Sequence, residues 1–154
     1  TAPIYVHINT PGGSVIDALA IYDMLLCMDN PIITLVNGGC FSAGMIIACA
    51  GDQRLATPNS MYFHHHPEIS VIGITSQETM QSNAEFYKWC KDNNDNIMRE
   101  RIGMSVEDWA KHFGETDSKY FGVCEAIEYG FCTATLVYAD KPKIELTVTT
   151  EEEE

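Results

Sequence analysis

A serine in this sequence follows a glycine-rich turn at the point where an apolar strand gives way to a helix. Residues 36–45 read Val-Asn-Gly-Gly-Cys-Phe-Ser-Ala-Gly-Met, and the serine is Ser42. A hydroxyl at a helix N-terminus lies beside unpaired backbone N–H groups and the positive end of the helix dipole, which stabilise negative charge. Ser42 can therefore be a nucleophile for acyl transfer, but a serine that only caps a helix fits the same pattern.

Two other segments carry residues that complete such chemistry. Residues 4–15 have the same strand and glycine-rich turn, and residues 61–67 form a strand that ends in His64, His65 and His66. Strand alternation sends the side chain of His65 to one face and those of its two neighbours to the other. A serine nucleophile needs a base of this kind to accept its proton. The three histidines cannot converge on one ion and no cysteine or carboxylate set completes a site, so we predict no metal.

The elements that must position these residues alternate between strand and helix, which predicts an α/β layered fold. Ser14, followed three residues later by Asp17, has the pattern of a helix N-terminus. We expect residues 119–123, directly before the last predicted helix, to be a loop. The predicted strands are residues 4–9, 32–36, 54–56, 61–66 and 133–138, and the predicted helices are 14–28, 43–50, 75–101, 106–113 and 124–129.

Composition favours one domain without nucleic-acid or membrane partners. The chain has 154 residues, 45% of them hydrophobic, which is enough for a hydrophobic core that needs no disulfide bond or metal ion to stabilise it. We assign residues 1–150 to a single domain and residues 151–154, all glutamate, to an acidic tail. The net charge of −13 argues against nucleic acid and anionic membranes. The cysteines lie mostly in apolar or helical stretches, and no apolar stretch is long enough to span a membrane, which predicts reduced thiols in a cytoplasmic protein.

Four ordered motifs resemble the proteolytic subunit of the Clp protease, a serine peptidase with a crotonase-like fold. The resemblance covers residues 4–138 and implies repeated β-β-α units with a projecting handle helix. The motifs are Asn-Thr-Pro-Gly-Gly-Ser-Val at 9–15 with Ala-Ile-Tyr-Asp at 20–23, the serine turn, Thr-Pro-Asn-Ser at 57–60, and Glu-Ala-Ile-Glu-Tyr-Gly at 125–130.

The resemblance implies a role for each candidate residue. Ser42 is the nucleophile and His65 the general base, while the backbone N–H groups of Gly13 and Ala43 form the oxyanion hole. No cofactor or metal is implied.

The third catalytic position is where the sequence departs from the family. The family has an aspartate at a fixed distance before the motif at 125–130, and that distance falls on Ser118 here. One inserted residue within 119–123 would move Asp117 into the position, and a loop can accept such an insertion. We predict Asp117, and Ser118 stays open as the alternative.

The resemblance also implies how substrate is held and how the chain assembles. A glycine-rich segment after Pro67 pairs with the substrate backbone in the family, and Ile69 and Ser70 occupy that region here. Residues 69–101 correspond to the handle that joins two rings into a homo-oligomer. The family's axial loop and first helix, which help dock a ring-shaped AAA+ unfoldase, precede the shared part, so an ATPase partner is an expectation from the resemblance alone.

Three functions are consistent with these observations. The first is a Clp-type, ATP-dependent serine endopeptidase that hydrolyses extended or unfolded polypeptides inside an oligomeric chamber, through an acyl-enzyme on Ser42. The second is a catalytically inactive ring or assembly subunit of the same fold, which Ser118 and the altered segment after Pro67 favour. The third is crotonase chemistry on an acyl-CoA thioester, against which Ser42 and His65 argue.

Overall fold

Among the described residues, six strands form one mixed sheet, with helices packed around it. The computed structural model describes residues 2–68, 73–114 and 118–139. The strands are β1 (Ile4–Thr10), β2 (Ile32–Phe41), β3 (Gln53–Ala56), β4 (Met61–His65), β5 (Ser118–Gly122) and β6 (Ala134–Thr135). The helices are α1 (Val15–Leu26), α2 (Ala43–Cys49), α3 (Gln77–Ile102), α4 (Val106–Trp109) and α5 (Val123–Tyr129).

Strand β2 organises the sheet because it pairs with three neighbours. Its first half runs parallel to β1 on one side and β3 on the other, and its second half, from Gly39 to Phe41, runs parallel to β4. Strand β5 continues the sheet antiparallel to β4, and β6 extends it beyond β3. The carboxyl ends of β1, β2 and β4 therefore meet at one edge of the sheet. The predicted serine turn, glycine-rich turn and histidine strand all end there.

The core lies between the sheet and the helices. The Ser14 hydroxyl accepts a hydrogen bond from the Asp17 N–H at 3.2 Å, as the capping pattern predicts, and α1 then packs against α2. Helix α2 is apolar nearly all round and is almost wholly buried, which suits its position between α1, α3 and the sheet. The two central elements of the site, β2 and α2, are thus held on every side by packed neighbours.

All five predicted strands and all five predicted helices are present in the described part of the chain, which has a sixth strand besides, and four corrections follow. Residues 118–122 are strand β5 and not the loop that we expected; the aromatic pair Tyr120 and Phe121 was an available strand signal. Strand β2 continues through its glycines to Phe41, because β4 pairs with that half. The predicted last strand shrinks to two residues. The predicted helix 106–113 is α4 followed by a π-helical turn over Ala110–Gly114.

Helix α3 contains most of the predicted handle region, of which residues 73–101 are described. Its buried residues, Cys90, Asn94 and Met98, all lie in its second half. Its first half carries the exposed apolar side chains of Met80 and Phe86. One end of α3 is therefore anchored on α2, and the other end presents apolar surface.

The structure shows the state of the cysteines. All six cysteines are free; four are buried, and Cys27 and Cys124 are exposed. No helix in the described part of the chain is both long and apolar enough to cross a membrane.

Substitution of two glycines that end helices would test how tightly the end of α5 is packed. Gly103 and Gly130 both adopt a left-handed conformation, with φ of 72° and 90°. A Cβ atom on Gly130 would lie 2.8 Å from the Ile102 carbonyl oxygen, whereas one on Gly103 would have nothing within 4 Å. We expect Gly103→Ala to lower the free energy of unfolding by about 1 kcal/mol, the cost of the backbone conformation. Gly130→Ala should cost about 2 kcal/mol more, because a backbone contact must also be relieved. Equal losses in urea unfolding would contradict this packing.

Candidate active site

Ser42 lies between β2 and α2 in a strained backbone conformation. Its φ of 54° and ψ of −125° make it the only non-glycine residue with positive φ in the described part of the chain. Such a conformation costs on the order of 1–3 kcal/mol and persists only where the surroundings hold it. A hydrogen bond of 2.7 Å from the Ser42 N–H to the Phe63 carbonyl does so. The hydroxyl makes no capping bond to α2, so Ser42 is not an ordinary helix cap.

The Ser42 hydroxyl contacts His65 instead. The distance from His65 Nε2 to Ser42 Oγ is 2.7 Å, which is a hydrogen bond. His65 is the last residue of β4, and its ring stacks on that of Phe63 at 5.2 Å between centroids. The side chain is 21% exposed, so the ring is confined yet open to solvent on one side. This is the geometry that a serine nucleophile and its general base require.

The two glycine-rich turns lie against each other. The Gly39 N–H donates to Asn9 Oδ1 at 2.9 Å. A Cβ atom on Gly12 would lie 2.6 Å from Ser42 Cβ, and Gly12 has a φ of 97°, so only glycine fits there. The β1 turn therefore approaches Ser42 closely enough to share a site with it.

The two residues predicted to form an oxyanion hole flank Ser42. Gly13 follows Gly12 in the β1 turn and lines the same cleft as Ser42. Ala43 is the first residue of α2, so its N–H has no partner within the helix. Both positions are compatible with donation to an oxyanion beside Ser42 Oγ.

A cleft of about 340 Å³ opens beside the serine and histidine. One wall comes from the start of α1, with Val15 and Ile16, and another from α3, with Phe86 and Tyr87. Glu68 brings a carboxylate to the rim. The cleft offers an apolar surface next to a polar reactive centre, which suits a peptide side chain beside the bond to be cut.

The predicted third catalytic residue, Asp117, and the predicted substrate residues, Ile69 and Ser70, lie outside the described residues. Ser118 is described, and it stands directly opposite His65 in the antiparallel pairing of β4 with β5. That pairing runs through five consecutive residue pairs without a bulge, so the expected insertion has no irregularity within β5 to accommodate it. Asp117 stays a prediction.

Comparison with known proteins agrees with this geometry. The Clp protease family model matches residues 1–137. The chain belongs to the Clp protease family. It is 34% identical over 133 residues to an ATP-dependent Clp protease proteolytic subunit of Streptococcus thermophilus, covering 85% of this chain and 67% of the relative. A subunit of the same name from Streptococcus agalactiae is 33% identical over 138 residues, covering 88% and 69%.

A solved structure supports the fold assignment. A ClpP1 mutant from Listeria monocytogenes superposes with a TM-score of 0.76 at 25% identity, covering 88% of this chain and 74% of that one. The mixed α/β fold predicted from the sequence is that of the Clp family, which supports a serine peptidase function.

A cluster of polar side chains lies directly behind this Clp-family site. His64, on the opposite face of β4 from His65, is buried against the rings of Trp109 and Phe113. Its Nε2 is 3.9 Å from Asp95 Oδ1, and Lys91 Nζ is 2.7 Å from Asp95 Oδ2. Sequence analysis did not identify Asp95; the four-residue spacing from Lys91 to Asp95 on a helix was the available signal. The cluster joins α3 to the strand that carries His65.

The carboxyl group of Asp95 gives a prediction about acid stability. Burial by itself would raise the pKa of Asp95, but the nearby His64 ring and the hydrogen bond from Lys91 outweigh it and lower the pKa from its usual 3.8. A lowered pKa in the folded state means that the ionised carboxylate stabilises the fold above pH 3.8 and that this stabilisation is lost as pH falls through the lower value. We expect Asp95→Asn to cost about 1–3 kcal/mol of unfolding free energy at pH 7.

The measurement is the free energy of unfolding of parent and variant between pH 7 and pH 2, in which the gap between the two curves should narrow as the pH falls below 3.8. Asp92→Asn is the matched control, because Asp92 pairs with Lys88 on the same helix but is 51% exposed. That substitution should change stability by less than about 0.5 kcal/mol. A constant gap between parent and Asp95→Asn at all pH values would contradict the role of the carboxylate.

Proposed function

We propose that this chain is a serine endopeptidase that hydrolyses extended or unfolded polypeptides. The observation that carries the proposal is the 2.7 Å contact between His65 Nε2 and the hydroxyl of Ser42, a residue held in a strained conformation at the rim of an apolar cleft. Strained backbone at a reactive residue is a feature of functional sites more than of structural caps. Membership of the Clp family supports the same reaction class.

The proposed reaction proceeds through an acyl-enzyme. Ser42 Oγ attacks the peptide carbonyl carbon as His65 Nε2 accepts its proton, and the developing oxyanion accepts hydrogen bonds from the N–H groups of Gly13 and Ala43. His65 then donates the proton to the leaving amine, and the C–N bond breaks. Water, activated by His65, attacks the ester and releases the carboxylic acid product and free Ser42.

Two parts of the proposed site lie outside the described residues. We propose from the family resemblance that the backbone of Ile69 and Ser70 pairs with the substrate as an added strand. From the same resemblance we propose Asp117 as the carboxylate that orients His65. The reaction as written needs no metal, and no group of three or more potential metal ligands is present among the described residues.

We further propose that the chain works as a homo-oligomer of stacked rings. The handle region, residues 69–101 of a single peptidase domain, would bring opposing rings together, and the exposed Phe86 and Trp89 on α3 offer apolar surface for such contacts. The relatives are named as proteolytic subunits of an ATP-dependent protease. An AAA+ unfoldase that delivers polypeptide into the chamber is therefore the partner that we propose.

A second function has its own support. In a catalytically inactive ring or assembly subunit, the position opposite His65 would not need a carboxylate, and Ser118 occupies it. The crotonase-like alternative has less support, because crotonase chemistry on an acyl-CoA thioester relies on backbone donors and does not require the bond between Ser42 and His65.

A fluorophosphonate probe separates an activated serine from an inactive one. We expect the intact mass of the folded, assembled protein to increase by one adduct. Ser42→Ala should abolish the adduct, and His65→Ala should slow its formation at least about 100-fold, because the general base is lost. Ser82→Ala and His7→Ala, at exposed positions outside the cleft, should label like the parent.

The opposite result is equally informative. If the assembled parent protein forms no adduct under conditions that label a control serine peptidase, the endopeptidase proposal fails and the inactive subunit is favoured. An adduct that survives Ser42→Ala would place the reactive residue elsewhere.

A further inference from the structure

We propose that Glu68 is the residue that positions the imidazole of His65, an inference that rests on the proposed peptidase function. The distance from His65 Nδ1 to Glu68 Oε1 is 3.6 Å. Glu68 follows His65 by three residues, and Pro67 lies between them with its φ restricted by the ring. A carboxylate thus lies beside Nδ1, the ring nitrogen that does not contact Ser42.

The chemical need for a group at Nδ1 follows from the contact at Nε2. If Nε2 is to accept the proton of Ser42, the neutral ring must carry its hydrogen on Nδ1. An acceptor beside Nδ1 selects that tautomer, and a negative one also stabilises the imidazolium that forms during acylation. Glu68 is the carboxylate within ion-pair distance of His65 in the described part of the chain.

The other groups around His65 do not supply this function. Phe63 stacks on the ring and Ser118 stands opposite it on β5, and neither carries a charge. Asp95 lines a small cavity behind the ring, but its carboxylate is already engaged by His64 and Lys91. Tyr87 and Cys90 line the cleft from α3. Burial raises the pKa of the Cys90 thiol, which keeps it neutral.

The position of Glu68 indicates a role in catalysis and not in folding. Its side chain is 83% exposed, and an ion pair this open to water contributes little to stability. Glu68 also lines the cleft, so a bound polypeptide would displace water from around it and strengthen its interaction with His65. A distance of 3.6 Å is longer than a direct hydrogen bond, but catalytic contacts often shorten only when substrate is bound.

The test compares four forms of the full chain: the parent, Glu68→Ala, Glu68→Asp and the control Glu78→Ala, which removes an exposed carboxylate at the start of α3. The first readout is the rate of fluorophosphonate labelling. We expect Glu68→Ala to lower this rate about 10-fold or more, Glu68→Asp to recover part of it, and Glu78→Ala to match the parent. Thermal unfolding of all four should be the same within error, which a structural role for Glu68 would not give.

The second readout does not depend on activity. The ¹⁵N chemical shifts of labelled histidine, assigned to His65 with the His65→Ala variant, report the fraction of neutral ring with hydrogen on Nδ1. We expect this fraction to fall in Glu68→Ala and to be restored in part in Glu68→Asp. If the parent forms no adduct, the peptidase proposal fails, while the tautomer fraction still decides whether Glu68 positions the ring.

Asp117→Asn, measured in the same two ways, tests the alternative that Asp117 positions the His65 ring. If Glu68→Ala leaves both the labelling rate and the tautomer fraction at parental values, the proposal is overturned, and loss of both in Asp117→Asn would assign the role to the aspartate.

Discussion

The site depends on one constraint: the ends of three parallel strands converge around a serine whose backbone is held in a strained conformation. Strand β2 delivers Ser42, β4 delivers His65, and the turn after β1 brings Gly12 against the serine side chain. The hydrogen bond from the Ser42 N–H to the Phe63 carbonyl ties the strained residue to the strand that carries His65. Strain at Ser42 is thus offset by the same pairing that sets the distance between Ser42 Oγ and His65 Nε2. A shift of β4 along β2 by one residue would lose both.

Two arginines fix the far end of α2, the helix that follows Ser42. Arg101, near the end of α3, donates to the carbonyls of Cys49, Ala50 and Gly51 as the chain leaves α2. Arg54 on β3 donates to the Gly51 carbonyl and to that of Gly130 at the end of α5. Carbonyl groups at helix ends have no intrahelical partners, and charged donors satisfy them well. The helix that follows Ser42 is therefore fixed at its far end as well as at the serine.

Adjacent histidines have opposite roles because β4 is buried on one face only. His64 packs among aromatic rings and contacts Asp95 inside the fold, whereas His65 faces the cleft. Strand alternation makes this division certain once one face is assigned to the core. The same strand thus joins the stability of the α3 contact to the placement of His65. In the described structure, the carboxylate beside His65 comes from the chain just after the strand, at Glu68.

Local sequence determined the alternation of strands and helices, the capping of α1 by Ser14 and the selection of Ser42 and His65, because each depends on the pattern of neighbouring residues or on a short motif. Tertiary structure decided what depends on partners distant in sequence. Residues 118–122 are a strand because β4 pairs with them, and β2 extends through its glycines for the same reason. The contact of His64 with Asp95 and the approach of Glu68 to His65 are distances between side chains, which residue spacing does not specify. A linear pattern shows which residue types are available, but only the pairing of strands determines which of their atoms meet.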